Sequence, residues 1–212
     1  LPMGTYPELE RLGLANLIAK FTSPCPEGAE YAAGYYLEIA QLINGCGAKG
    51  AAFLEKQLSG DDSMRVRAAI FGLSARVRSP KTVPMLIRFL CDKREAVVAE
   101  AIDGLRRVRY DKADGRVLAL YSHPSPFVIG AVLRYASAIR HERAKPLLLR
   151  SLKHPEFVVR ENACDELDAI NFIEAIPHLK PLLKDPNKNV REAARTATRN
   201  LTALRPRRRS AQ

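Results

Sequence analysis

The chain repeats one ten-residue phrase at a fixed interval of 31 residues. HPSPFVIGAV (123–132), HPEFVVRENA (154–163) and DPNKNVREAA (185–194) are its clearest copies, and Asp61 and Asp92 begin two earlier ones. The positions five, nine and thirteen residues after each start are almost always apolar, which is the spacing of one face of an α-helix. Each copy therefore opens a helix whose apolar face must be buried. The first of these positions holds Val66, Val97, Val128, Val159 and Val190.

A second, shorter helix is predicted before each start. Apolar residues four apart recur there with the same period, and Pro84, Pro146 and Pro177 share one position near the first turn, where a missing N–H is tolerated. The chain is thus a series of helix pairs, and one such pair cannot bury its apolar faces alone. The repeat therefore predicts an all-α fold, a right-handed α-solenoid of six stacked helix pairs. The apolar residues of the shorter helices are Leu86/Leu90, Val117/Tyr121, Leu148/Leu152 and Leu179/Leu183.

The solenoid is expected to form a single domain over residues 1–204. Its first repeat, residues 1–46, is irregular: a helix near 6–21, the loop TSPCPEGAE and a helix near 30–44. An atypical end repeat is what a stacked array needs, because its outer face meets water. The remaining parts are five 31-residue repeats over 47–204 and a basic tail over 205–212.

The 31-residue spacing and the Val-Arg pair after the turn, in MRVRAA, VVREN and NVREAA, resemble HEAT repeats. They are most similar to the short variety named after phycobilisome lyases, and the resemblance covers about residues 30–203. It implies an array in which the Arg of that pair ties one turn to the next. Val98 and Ile129 stand where two of these Arg residues would be, so we expect the second and third regular repeats to be held differently. The resemblance also implies one alternative function, a lyase or chaperone that acts on bilin-bearing proteins.

The composition argues against a membrane protein. No apolar run approaches the roughly 20 residues that span a bilayer, and the opening LPMGTYPELERLG does not have the layout of a signal peptide. The four Cys residues form no CxxC pair, which argues against a zinc knuckle or a redox motif. We therefore expect reduced thiols in a cytoplasmic protein. The net charge of +11 permits a nucleic acid or an acidic protein as partner.

The motifs that could carry catalysis are better explained by the repeat. GCGAKG (45–50) matches a dinucleotide-binding loop, but that loop follows a strand, whereas this one falls between two predicted helices. His123 and His154 occupy one repeat position on stacked helices about 8–10 Å apart, too far to share a metal, and are expected to be turn residues. No Ser/His/Asp or Cys/His grouping can be identified. We therefore expect a protein that is not an enzyme, with no cofactor and no metal.

One face of the second helices is acidic and has an apolar middle. In proteins that this chain resembles, the second helix of each pair lines a concave face. Such a groove suits a basic or amphipathic peptide and would repel a phosphate backbone. The alternative is that these carboxylates only form a solvated helix face. The predicted function is a non-catalytic scaffold that captures a protein or peptide partner with Glu95, Glu100, Asp103, Phe127, Arg134, Phe157, Glu161 and Asp165.

Basic residues recur in the turns that join one repeat to the next. They form two sets with 31-residue spacing: Arg78, Arg109 and Arg140, and then Lys81, Lys112 and Arg143. The first set falls at helix C-termini, where a cation offsets the negative end of the helix dipole. The second set stands at the starts of helices, where the dipole disfavours cations, so an anionic partner would explain it better. We call these six residues the basic ridge. Together with the tail RPRRRSAQ, it indicates an alternative function, nucleic-acid binding.

Overall fold

The computed structural model describes residues 5–75, 81–139 and 143–204, and these ranges contain helices and turns but no β-strand. The prediction of an all-α fold is confirmed. The chain divides into two compact units, Leu1–Ala113 (unit 1) and Asp114–Gln212 (unit 2). Each unit has a hydrophobic core of its own. The single domain over residues 1–204 stays a prediction.

The first helix of unit 1 is shorter than the sequence predicts. Instead of one helix near 6–21, the structure has a 3-10 turn at Leu9–Arg11 and a separate α-helix that begins at Leu14. The break lies at Leu12 and Gly13, whose backbones are extended, and Gly13 is the N-cap of this α-helix with φ −72° and ψ 164°. The α-helices of unit 1 are α1 (Leu14–Thr22), α2 (Ala32–Gly45), α3 (Ala48–Gln57), α4 (Ser63–Ala75), α5 (Thr82–Phe89) and α6 (Glu95–Arg107).

The longer helices of unit 1 pack side by side. Helix α4 lies between α2 and α6, while the shorter helices α3 and α5 pack against α4 and α6 respectively. The residues that the repeat predicts to be apolar are those that the packing buries. Val66, Ile70, Val97, Ala101 and Leu105 are all fully buried. The pairing of a short helix with a long one is therefore confirmed in this unit.

Unit 2 repeats the arrangement with α10 between α8 and α12. Two of its shorter helices are partly 3-10. Helix α11 gives way to a 3-10 turn at Lys180–Lys184, because Pro181 has no N–H to donate to the carbonyl four residues earlier. The α-helices of unit 2 are α7 (Asp114–Ala119), α8 (Pro126–Ala138), α9 (Ala144–Ser151), α10 (Phe157–Ala169), α11 (Ile176–Leu179) and α12 (Lys188–Ala203). Its buried repeat positions are Val128, Val132, Ala136, Val159, Ala163, Leu167, Val190, Ala194 and Leu201.

Arginine side chains tie successive repeats together in unit 2. Arg160 of α10 donates from Nε and Nη2 to the two carboxylate oxygens of Asp185, at 2.8 and 2.9 Å. Its Nη1 donates to the carbonyls of His154 and Pro155, both at 2.7 Å. The guanidinium thus joins the turn before α10 to the turn before α12. It performs the role that the HEAT resemblance implies for the Arg of the Val-Arg pair.

Unit 1 uses a different arginine for the same purpose. Asp92 is held by Arg94, whose Nη1 also donates to the Gly60 carbonyl of the preceding turn at 2.8 Å. Arg67, which occupies the position of Arg160 in its own repeat, pairs with Glu100 instead. The side chains that replace the repeat Arg elsewhere, Val98 and Ile129, are buried. The expected difference between repeats is therefore present.

Candidate protein-binding face

Glu100 is expected to point outward from α6, whereas the structure buries it. Its side chain is 5% exposed and accepts hydrogen bonds from Arg67 at 3.2 Å and Arg107 at 2.5 Å. Arg67 lies on α4, so the carboxylate serves the packing of α4 against α6. A charge that is already paired inside the protein cannot orient a ligand, and Glu100 is therefore removed from the candidate face.

The two other carboxylates predicted on α6 differ in their surroundings. Asp103 accepts a hydrogen bond from Arg106 at 3.1 Å, one turn along the same helix. Glu95 is exposed in the first turn of α6 and has no side-chain partner among the described residues. Unit 1 therefore offers one unpaired carboxylate at the predicted positions.

Unit 2 presents two aromatic rings to water at the predicted positions. Phe127 is 58% exposed and Phe157 is 37% exposed. Both lie in the first turns of long helices, α8 and α10, which pack against each other. Single exposed apolar residues are common on protein surfaces, whereas a contiguous patch of them marks a binding surface. These rings do not fill the core of unit 2.

A row of three residues runs along α10 from the exposed Phe157. Glu161 and Asp165 follow it at intervals of four residues, so the three side chains share one face of the helix. Neither Glu161 nor Asp165 has a hydrogen-bond or ion-pair partner in the part of the chain that the structure describes. We call Phe157, Glu161 and Asp165 the α10 stripe.

Burial, together with the nearby carboxylates of Glu161, Glu166 and Asp168, raises the pKa of Asp165 to about 6. Its residue surface nevertheless stays exposed. The carboxylate of Asp165 is therefore partly surrounded by protein and still reachable from solvent. A cation placed beside Asp165 would relieve this repulsion, which is the electrostatic character that a site for basic ligands requires.

Arg134 belongs to the contact between α8 and α10. Its Nη1 donates to Asn162 Oδ1 at 2.7 Å, and Asn162 Nδ2 donates to the Val158 carbonyl at 2.8 Å. The helices approach closely here, because a Cβ on Gly130 would lie 3.1 Å from Asn162 Nδ2. Ser137 adds a hydrogen bond to Glu166. Sequence reasoning missed Asn162 and Glu166, and Gly130 was the available signal, since a glycine inside a helix often marks a close neighbour.

The structure describes only part of the basic ridge. Arg78, Arg140 and the tail at 205–212 lie outside the described residues. Arg109 and Lys112 are exposed in unit 1, and Arg109 adopts a left-handed backbone conformation with φ +51°. Lys81 and Arg143 are exposed N-cap residues of α5 and α9, so their prediction at helix starts is confirmed.

The histidines of the repeated phrase are turn residues, as predicted. Nδ1 of His123 accepts the Ser125 N–H at 3.0 Å, and Nδ1 of His154 accepts the Glu156 N–H at 3.1 Å. GCGAKG lies between α2 and α3, and its Gly47 has φ +79°. Within the described ranges, no group of three His, Cys, Asp or Glu residues is arranged to hold a metal ion. No helix in those ranges is long and apolar enough to cross a membrane.

Comparison with known proteins identifies the repeat. Residues 51–128 and 114–199 match the sequence model described as HEAT repeats, and together these ranges cover well over half of the chain. No curated protein sequence matches the chain.

Solved structures show the same fold at low sequence identity. The X-ray structure of the Escherichia coli protein YibA is 18% identical, with a TM-score of 0.71 over 95% of this chain and 77% of that one. The CpcE–CpcF complex of phycocyanin lyase from Nostoc sp. PCC7120 is 24% identical, with a TM-score of 0.55 over 73% of this chain and 65% of that one. A designed armadillo repeat protein in complex with the peptide (KR)4 is 16% identical, with a TM-score of 0.55 over 90% of this chain and all of that one.

Proposed function

Because this chain belongs to the HEAT-repeat family, we propose that it is a non-catalytic scaffold that captures a basic segment of a partner protein. Solenoids of this kind bind partners along the surfaces that their stacked helices create. The proposed site is the α10 stripe of unit 2 with Phe127 of α8 beside it. The single observation that carries the proposal is a pair of carboxylates, Glu161 and Asp165, that no described residue binds and that lie in line with an exposed ring.

The spacing of these carboxylates fits an extended peptide. Four residues along an α-helix correspond to a rise of about 6 Å. Every second side chain of an extended peptide points the same way, at intervals of about 6.6 Å. A peptide that runs along α10 can therefore place one cation near Glu161 and the next near Asp165, while Phe157 contacts an apolar side chain or the stem of a lysine.

The designed armadillo protein provides a parallel for this mode of binding. Its structure contains a peptide with the sequence (KR)4, in which every residue is basic. Its likeness to this chain concerns the fold, and the carboxylates of the α10 stripe are the feature that would give this chain a preference for basic ligands.

The charge contribution can be measured with a fluorescein-labelled Lys-Arg octapeptide and fluorescence anisotropy. Glu161→Gln combined with Asp165→Asn should weaken binding about tenfold, since two exposed ion pairs contribute roughly 1–2 kcal/mol together. The matched control combines Glu174→Gln with Asp111→Asn, which removes the same charge from exposed positions outside the acidic face. Equal affinities of the two double variants would show that only net charge matters and would refute the site.

The apolar contribution is tested by Phe127→Ala with Phe157→Ala. Both rings are outside the core, so helicity should be unchanged while capture of a basic peptide that carries a leucine weakens severalfold. Unchanged affinity would remove the rings from the site. A gel shift with DNA at low and moderate salt tests the alternative function through the basic ridge, and salt-sensitive retardation would favour it.

A further inference from the structure

Unit 2 contains a cleft of about 820 Å³ formed by the ends of its shorter helices, and none of the residues that line it belongs to the α10 stripe. Four of its lining side chains carry basic nitrogen atoms: Arg150, Lys153, His154 and His178. No Asp or Glu is among the lining residues. We call these four residues the basic cleft.

The basic groups are available for a ligand. The Arg150 guanidinium lies over the Tyr121 ring at 4.5 Å from its centre, and its N–H groups form no hydrogen bond to any described residue. Lys153 and His178 are exposed and form no side-chain hydrogen bond or ion pair with any residue that the structure describes. His154 uses Nδ1 for its own turn, which leaves Nε2 for another partner.

A comparison with unit 1 shows that the fold does not require a cleft with an excess of positive charge. Unit 1 has a cleft of about 600 Å³, and six of the eight residues that line the basic cleft have counterparts there two repeat periods earlier. In unit 1 the lining includes the carboxylates of Glu55, Asp61 and Asp92, and Asp92 occupies the position of His154. Asp92 is paired with Arg94 at 2.8 Å, so the cations of that cleft are balanced by carboxylates from the same wall.

We propose that the basic cleft binds the phosphate group of a phosphorylated serine or threonine in a partner protein. A phosphate monoester carries close to two negative charges and three acceptor oxygens, which suits a guanidinium, an ammonium and imidazole N–H groups that line one cleft. Leu149 and Pro155 add apolar wall for the adjoining peptide.

A phosphopeptide fits better than a nucleic-acid backbone. A polynucleotide presents a phosphate at every step and therefore requires cations that continue along the surface. Here the cations of the cleft come from four residues, and the chain continues after Pro155 with an acidic residue, the exposed Glu156.

The experiment is a ¹H–¹⁵N NMR titration of the full chain with the pentapeptide Ala-Ala-phosphoserine-Ala-Ala and with its unphosphorylated form. The phosphopeptide should shift the amide signals of residues 150–154 and 178, and the unphosphorylated peptide should not. Arg150→Ala with Lys153→Ala should weaken binding about tenfold or more, because charge-assisted hydrogen bonds are lost. The matched control, Arg88→Ala with Lys93→Ala, removes the same charge from the wall of the unit 1 cleft and should bind as the native chain does.

Three outcomes would overturn the proposal. These are identical responses to the two peptides, an equal loss of affinity in both double variants, and displacement of the phosphopeptide by a single-stranded oligonucleotide at a lower phosphate concentration. All four substituted residues have exposed or surface-lining side chains, so circular dichroism should show unchanged helicity. The α10 stripe is untouched by these substitutions, so this test is independent of the proposed capture of basic peptides.

Discussion

Replacing Arg160 by isoleucine should destabilise unit 2, even though isoleucine is the residue that the chain itself uses one repeat earlier, at Ile129. Arg160 makes four hydrogen bonds, two to the Asp185 carboxylate and two to backbone carbonyls. The side chains of the pair are 13% and 7% exposed. Removing one partner of such a pair leaves an uncompensated charge and costs about 3–5 kcal/mol. We expect about 3 kcal/mol, because water can reach part of the turn once Arg160 is gone.

That loss is large beside the roughly 5–15 kcal/mol of a typical domain. Urea unfolding followed by circular dichroism measures it, and hydrogen exchange of the amides near Asp185 shows whether the turn opens first. The double variant Arg160→Ile with Asp185→His restores the combination found at Ile129 and His154, where the imidazole accepts the turn N–H without an arginine partner. It should recover at least half of the lost stability.

The effect should also depend on pH in one direction. The hydrogen bonds from Arg160 hold the pKa of Asp185 below its ordinary value, and the Asn187 N–H acts in the same sense. A carboxylate with a lowered folded-state pKa contributes stability above its unfolded pKa, near 3.9, and loses it as the pH falls through the folded value. The native chain and the Arg160→Ile variant should therefore converge in acid. A cost below about 1 kcal/mol at neutral pH, or no recovery in the double variant, would refute the reasoning.

Three further predictions concern other parts of the molecule. Gly50→Ala should destabilise unit 1 by more than about 2 kcal/mol in urea unfolding, because the new Cβ would lie 1.8 Å from the Ile43 carbonyl oxygen. The control is Gly115→Ala, which should be neutral or stabilising because the space around Gly115 is open. Arg109→Asn should raise stability by about 0.5–1 kcal/mol in the same assay, since Arg109 is held at φ +51°; no gain would contradict this account. Affinity for the Lys-Arg octapeptide should fall as the pH drops through about 6, where Asp165 gains a proton; Asp165→Asn should abolish that dependence.

The Arg109 prediction illustrates how the repeat guides the choice of substitution. Asn171 occupies the same position two periods later and has φ +55°. Asparagine tolerates the left-handed conformation better than arginine does. Hydrogen bonds from Tyr110 N to Leu105 O and from Phe172 N to Leu167 O close the two helix ends in the same way. The repeat therefore keeps the left-handed conformation at this position even where the residue is an arginine, which favours that conformation less than asparagine does.

The helix pairs and their buried positions could be predicted from the sequence alone. A 31-residue period with apolar side chains at helical spacing permits one burial pattern, and Val66, Val97, Val128, Val159 and Val190 all follow it. The turn role of His123 and His154 was also predictable, because it depends on residues two positions apart. Local spacing is enough to predict the position of a side chain wherever it packs on the face of its own helix or bonds to its own turn.

Which charges remain unpaired was decided by the tertiary structure. Glu100 and Glu161 both belong to the acidic face that the sequence predicts, yet Glu100 is buried between Arg67 and Arg107 while Glu161 has no partner in the described chain. The basic cleft likewise depends on helix ends about one repeat apart that meet in space. The sequence therefore determined which residues face the core, because helical periodicity is local. Only the stacking of neighbouring helices decided which carboxylates and cations are left for a ligand, because that depends on contacts between residues about 30 positions apart.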